Sequence, residues 1–271
     1  MYKTTHTALD NIVHSLMGFR HWIKMKELKS CLKKTKIVPF IQPIFHNDGK
    51  TLKGCEVLLR IEREGKLILP SAFIDALEVS DMLDSVTCSL FQKISEEFKY
   101  YKYQLPEGFY FSFNITSQQL LSDNVVYSAM RFHNELQDCA SLVLEIVERR
   151  TKYIDDAIDV IDSMTASGIS FAIDDFGTDA TSFKYIENVG FSIIKLDKSL
   201  TPSNGGELIY KNIIDAVVSL SHGLGLSVTA EGVESPEQIE LLNNAGVNYL
   251  QDFYLSRPMD IHKFVDLHLV S

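Results

Sequence analysis

From residue 37 onward, short apolar runs of strand length alternate with longer stretches whose apolar residues recur at helical spacing. Strands are predicted over 37–45 and 54–61, joined by the turn Asn47-Asp48-Gly49, so that the two pair as a hairpin. Further strands are expected over 109–115, 142–147, 169–173, 193–196, 226–230 and 247–251. Between them, Leu83, Val86, Leu90, Ile94 and Phe98 mark a helix over 80–101, and Ile154, Ile158, Ile161 and Met164 mark another that Gly168 closes. Ile209, Ile213, Val217 and Leu220 mark a third, ending near Gly223. Ser235 as a cap, Pro236 at the first helical position and Gln238 completing a capping box announce a fourth, which Gly246 ends, and 260–270 forms a closing helix. Eight strands with interleaved helices predict an α/β fold, a TIM-like (β/α)8 barrel. The same alternation also fits a doubly wound open sheet.

The first 35 residues follow a different pattern. Ile12, Leu16, Phe19, Trp22, Ile23 and Met25 stand among many polar side chains and lead into a lysine-rich stretch over 29–36. This predicts an N-terminal helical extension over 1–35, followed by one barrel domain over 36–271. The extension could pack on the barrel, dimerise or bind a protein partner, and a lone Trp22 on an apolar stripe favours packing.

Composition narrows the function. The 271 residues carry 36 acidic against 26 basic side chains, a formal net charge of −10, which argues against broad electrostatic binding of duplex nucleic acid or of an anionic membrane. An anionic substrate would need metal ions or a local Arg or Lys. Cys31, Cys55, Cys88 and Cys139 lie far apart and form no Cys-x-x-Cys pair, so neither a zinc knuckle nor a disulfide framework is indicated. A reducing cytoplasm is the expected setting, because no apolar run reaches the roughly 18 residues of a membrane span and the start lacks a signal-peptide core.

The chemistry centres on Ile173-Asp174-Asp175-Phe176-Gly177-Thr178. A buried strand is expected to end there in two adjacent carboxylates. Neighbouring strand residues face opposite ways, so both acids can serve one cation only if the strand breaks between them, which Gly177 permits. The plainer alternative is an Asp that opens a turn. The other strands shift that balance, since Glu56, Asn114, Glu145, Lys195, Glu231 and Gln251 likewise interrupt or end apolar runs. Several buried carboxylates cannot stay ionised near neutral pH without counter-charge. The donors are oxygens of carboxylates and amides, which favours Mg²⁺ or Mn²⁺ over Zn²⁺. His46, His133 and His222 fall in turns or on helices and are read as non-ligands. Glu56 and Arg60 share a strand face, placing Arg60 to grip a phosphate, or the two form an internal ion pair. Lys195 and Asp197 also share a face, and Lys195 either orients a water or balances charge.

Taken together, the ordered motifs resemble those of the bacterial EAL-domain phosphodiesterases. They are Glu56-Val57-Leu58-Leu59-Arg60, Phe113-Asn114-Ile115-Thr116, Leu144-Glu145-Ile146-Val147-Glu148, Asp174-Asp175-Phe176-Gly177-Thr178, Lys195-Leu196-Asp197 and Ala230-Glu231-Gly232-Val233-Glu234, flanked by Gln42-Pro43-Ile44 and Ser256-Arg257-Pro258. The resemblance implies a barrel with an antiparallel first strand and hydrolysis of cyclic di-GMP to the linear dinucleotide. It also implies that Glu56, Asn114, Glu145 and Asp174 hold one divalent ion, and that Asp174 bridges to a second bound by Asp175 and Glu231. Lys195 would contact the attacking water, with Glu56, Lys195 and Glu231 as the catalytic set. Gln42, Leu59, Arg60, Gln119, Lys195, Glu234, Gln251 and Phe253 match substrate-lining positions, and Glu148 matches a glutamate that steadies the loop after Asp175. A homodimer is implied as well.

The sequence departs from the family pattern in three places. Val57 replaces an Ala and faces away from Glu56. Asp179-Ala180 stands where the family has Gly-Tyr, in a loop that shapes the metal site, and Asp252 follows Gln251 where Gly is usual. A receptor that binds cyclic di-GMP or a protein partner without turnover is the alternative use of the same scaffold.

Overall fold

A computed structural model of the chain describes residues 35–74, 77, 82–147, 153–177, 186 and 190–270. The predicted extension over 1–35 therefore lies, but for its last residue, outside the described residues, as do Glu148, Asp179 and Ala180. The chain divides into two compact units, residues 39–58 with 84–271, and residues 1–38 with 59–83.

The barrel strands are β1 (Lys36–His46), β2 (Leu52–Arg63), β4 (Tyr110–Ile115), β5 (Ser141–Val147), β6 (Ser170–Phe176), β7 (Phe191–Leu196), β10 (Ser227–Ala230) and β11 (Tyr249–Leu250). Their order is β1-β11-β10-β7-β6-β5-β4-β2, and β1 pairs β2 to close the ring. Closure excludes the open doubly wound sheet. Pairings from β2 round to β11 are parallel, whereas β1 runs antiparallel to β11, with Phe45 opposite Leu250. The antiparallel start follows from the tight turn at 47–50. There the Asp48 carboxylate accepts from the Lys50 and Thr51 amides at 2.8 Å each, while Gly49 adopts φ +66° beneath Ile239. Pro39 and Pro43 remove two ladder donors from β1, and Ile41 between them exchanges both backbone bonds with Met259.

Two short strands form a separate hairpin, β8 (Ser203–Asn204) with β9 (Glu207–Leu208). In the smaller unit, residues 61–63 of β2 pair antiparallel with β3 (Lys66–Ile68) across Glu64 and Gly65, both at positive φ as a two-residue hairpin turn demands.

Six helices are described: α1 (Met82–Phe98), α2 (Asp123–Leu136), α3 (Ile154–Ala166), α4 (Lys211–Gly223), α5 (Pro236–Asn244) and α6 (Ile261–His268). The expected helix over 80–101 is present as α1 across 82–98 and gives way to a turn at 99–101, while residues 80 and 81 lie outside the described residues. No helix was expected between the strands near 115 and 142, yet α2 buries Val125, Ala129, Phe132 and Leu136. That i, i+4, i+7, i+11 stripe is broken up in sequence by polar residues and is narrow, so the long apolar strands around it dominate the pattern. Its Phe132 ring lies 5.1 Å from Phe113 and 5.7 Å from Phe111, both on the outer face of β4.

Candidate metal centre and active site

Because the pleat returns a strand to the same face every second residue, each strand carries an inward pair. The lower members, Tyr110, Val143, Ala172 and Ile193, pack with Ile44 and Tyr249 into an apolar floor. Gly54 belongs to the same level, where a Cβ would come within 2.7 Å of the Tyr110 carbonyl. Two residues further toward the C-terminal ends stand Glu56, Ser112, Glu145, Asp174, Lys195 and Gln251, all buried. Asn114 and Glu231 lie at the next level out.

The hub is Lys195, whose side chain is 2% exposed. Its Nζ lies 2.8 Å from Glu145 Oε2, 2.9 Å from Glu231 Oε1, 3.3 Å from Asp174 Oδ1 and 3.6 Å from Glu56 Oε2. Burial alone would lower the lysine pKa, but the fields of Asp174, Glu145, Glu231 and Glu56 outweigh it and hold the ammonium well above the usual range. One cation cannot balance four carboxylates. Burial, opposed by Lys195 and reinforced by Glu56 and Asp174, pushes Glu145 up to about 8. Glu231 is raised to about 7, by burial first and then by Asp174 and Glu56, against the pull of Lys195.

Glu56 is clamped by two amides from different strands. Its Oε1 accepts from Asn114 Nδ2 at 2.5 Å and its Oε2 from Gln251 Nε2 at 2.7 Å. Asp174 Oδ1 and Gln251 Oε1, both buried at this level, have no hydrogen-bond partner among the described residues. The Lys195 ammonium is within ion-pair distance of the first but not aligned with it.

The end of β6 departs from regular strand geometry at its two adjacent acids. Asp174 is buried within the strand, while Asp175 adopts φ +55° and Gly177 φ +99°. The pairing with β7 shifts register between Ile173 and Phe176. The strand therefore breaks at Asp175 itself rather than between the two acids through Gly177 alone, and Asp is among the few residues that tolerate this backbone. A Cβ on Gly177 would approach Leu200 Cδ1 to 2.7 Å, so the glycine is required both by its φ and by close packing.

The donor set fits hard divalent ions: all oxygens, excess negative charge, and a carboxylate oxygen in want of a partner. Among the described residues, no group of three or more acidic, His or Cys side chains is closed to a shape that could hold a metal. The acids are instead drawn in around Lys195, as uncompensated carboxylates must be when an ammonium is their counter-ion.

The other expected site residues are placed as follows. Gln42 is buried and its Nε2 donates to Ser256 O at 3.3 Å, tying the turn that follows β11. Gln119 is buried, its Oε1 accepting from Thr116 N and its Nε2 donating to Thr87 Oγ1 at 2.9 Å. Glu234 is exposed, and Phe253 is 52% exposed with the Arg257 guanidinium 4.8 Å from its ring centroid. Leu59 and Arg60 belong to the smaller unit, where Arg60 Nη1 donates to Leu59 O at 2.7 Å. Asp197 accepts from Ser199 N and so opens the turn after β7. Sequence reasoning did not single out Tyr110, whose phenol is pushed up by burial and by the Glu145 charge above it. Its spacing, two residues before Ser112 and four before Asn114, is the signal that marks it as the floor of the site.

Comparison with known proteins agrees with this architecture. The EAL domain profile matches residues 25–258. The chain is 32% identical over 250 residues to the cyclic di-GMP phosphodiesterase PdeL of Escherichia coli K12, covering 91% of this chain and 69% of PdeL. It spans about half the length of other curated relatives. Among solved structures, the EAL enzyme Bd1971 with cAMP and cyclic di-GMP bound superposes with a TM-score of 0.77 at 26% identity, covering 97% of this chain and 70% of that one. The PaMucR phosphodiesterase in complex with c-di-GMP gives 0.73 at 25% identity, covering 84% and 99%. No helix among the described residues is long and apolar enough to cross a membrane. A closed barrel with one antiparallel strand, an acidic ring at its C-terminal mouth and a profile match over most of its length together mean that this chain belongs to the EAL domain family.

Proposed function

We propose that this chain is a metal-dependent phosphodiesterase that hydrolyses cyclic di-GMP to linear pGpG. The observation that carries the reading is the convergence of Glu56, Glu145, Asp174 and Glu231, from four strands or strand ends, on the buried ammonium of Lys195. Glu56, Asn114, Glu145 and Asp174 would hold one divalent ion, and Asp174, Asp175 and Glu231 a second, Mg²⁺ or Mn²⁺. Such a pair, when bound, lowers the pKa of water and neutralises charge on a phosphodiester undergoing in-line displacement.

The protein's own groups do the rest. Gln251 and Asn114 orient the Glu56 carboxylate through one hydrogen bond to each oxygen. Lys195 keeps its proton on Nζ and offers it as a donor to an oxygen of the water or the phosphate. The apolar floor beneath excludes bulk water from one side of the reacting centre. The water oxygen bonds to phosphorus, the P–O bond to the ribose 3′ oxygen breaks, and the water's proton ends on that oxygen. Phe253 with Arg257, and Glu234, are the groups assigned to the dinucleotide, and Gln42 and Gln119 act by fixing the loops that carry such groups.

A homodimer is part of this proposal. Of the expected stripe Ile209, Ile213, Val217 and Leu220, Val217 is buried, while Ile209 is 57%, Ile213 48% and Leu220 36% exposed. Ile214, Val218 and Ser221 of α4 are buried alongside Val217. A second copy that covered the outer stripe would remove an apolar row from water.

The test is purified protein incubated with cyclic di-GMP and Mn²⁺ or Mg²⁺, with linear product resolved by chromatography. Product that disappears with a chelator supports the proposal. Binding without turnover assigns the scaffold to a receptor.

A further inference from the structure

Glu231 lies just past the end of β10, in a segment that belongs to no strand or helix until α5 begins. Its backbone nitrogen still donates to Leu196 O at 3.1 Å, but Gly232, Val233 and Glu234 have no ladder to hold them. What holds them is a side chain. Gln238, in the first turn of α5 and 5% exposed, donates from Nε2 to Thr201 O at 3.0 Å and to Gly232 O at 3.4 Å, while its Oε1 accepts from Glu234 N at 2.7 Å. The expected capping box is thus only half formed. Ser235 Oγ accepts from Gln238 N at 3.2 Å, yet the Gln238 side chain reaches past the cap residue to Glu234.

Thr201, fully buried in the turn after β7, completes the lacing, with Oγ1 3.1 Å from Lys198 O and 3.4 Å from Gly232 O. The two turns touch so closely that a Cβ on Gly232, which sits at φ +78°, would fall 2.6 Å from both Thr201 Oγ1 and Lys198 Cβ. One turn follows the strand that bears Lys195, and the other carries Glu231. Their separation sets where the Glu231 carboxylate stands relative to the ammonium 2.9 Å away.

We propose that Gln238 is the positioning residue that holds Glu231 in register for the metal centre, by stitching the turn after β10 to the turn after β7. The inference rests on the two-ion reading above and adds a residue that touches neither metal nor substrate. Groups that orient a metal ligand from behind commonly change metal affinity about 10- to 100-fold when removed.

The experiment is direct Mn²⁺ binding, followed by loss of the free-ion EPR signal, on the full chain. Gln238→Met keeps the volume and removes every side-chain hydrogen bond, and it should weaken Mn²⁺ binding by about 10- to 100-fold. Thr201→Val should move affinity in the same direction by less, and serves if Gln238→Met does not fold. Ser235→Ala removes only the helix cap, so it should lower Tm while leaving Mn²⁺ affinity unchanged. In a Glu231→Gln background, Gln238→Met should have little further effect on Mn²⁺, because two residues acting as a unit are not additive. If the wild type binds Mn²⁺ and both Gln238→Met and Thr201→Val bind it equally well, the positioning role is overturned while the metal reading stands. A wild type that binds no Mn²⁺ overturns both.

Discussion

The floor and the mouth of the barrel are built from the same strands, two residues apart, and obey opposite rules. At the floor Ile44, Tyr110, Val143, Ala172, Ile193 and Tyr249 fill space and leave little to be satisfied. At the mouth each residue depends on a group brought by another strand: Glu56 on Asn114 and Gln251, and four acids on Lys195. The difference teaches that stability and chemistry are separated here by level along the barrel axis. The floor gives up apolar surface to the interior, and the mouth holds charges whose burial is costly until something compensates them.

Four expected outcomes test that separation. Glu56→Ala should abolish hydrolysis, a fall of about a thousandfold or more for the loss of several kcal/mol of transition-state stabilisation, with Tm nearly unchanged; a variant turning over at near wild-type rate removes Glu56 from the metal site. Lys195→Met should cost about 3–5 kcal/mol in denaturant unfolding, because it strands buried carboxylates, and the loss should shrink in acid or with Mn²⁺. Ile193→Ala, one level down, should cost about 2–5 kcal/mol by leaving a cavity, and neither acid nor Mn²⁺ should restore it. Equal rescue of the two lysine and isoleucine variants would erase the distinction between levels.

The smallest effect is on pH dependence. Burial and the neighbouring carboxylates push Glu145 up to about 8 and Glu231 up to about 7 in the folded protein, above the usual carboxylate range. In that window the folded protein binds more protons than the unfolded chain, so metal-free stability should fall as pH rises from about 5 through 8. Calorimetric Tm should drop across that range without metal and recover when Mn²⁺ is added, most strongly at the alkaline end. A Tm that rises with pH in the metal-free protein would mean that the carboxylates are already balanced.

Much of this was open to reading before any coordinates. Alternation along each strand exposed Glu56, Asn114, Glu145, Asp174, Lys195, Glu231 and Gln251 as polar interruptions, and Asn47-Asp48-Gly49 announced the hairpin that reverses β1. The Ser235 cap was visible because an N-cap is a local device spanning three residues. Other features were not. The predicted stripe Ile209, Ile213, Val217 and Leu220 has the helical period of a buried face, yet only Val217 of it is buried, since periodicity does not say which of two apolar faces meets the barrel. Gln238 read as a capping residue since its role depends on Thr201, 37 positions away.

Strand order, the inward set of polar residues and the family motifs follow from the amino-acid sequence by itself, because they rest on spacing along one segment. Closure of the ring, the meeting of Glu56 with Gln251 across 195 residues and of Lys195 with Glu145 across 50, and the left-handed break at Asp175 were decided by tertiary structure. The reason is physical: ionic and hydrogen-bond energies depend on distance through space and on what water is excluded, and neither quantity exists until the strands have closed into a barrel.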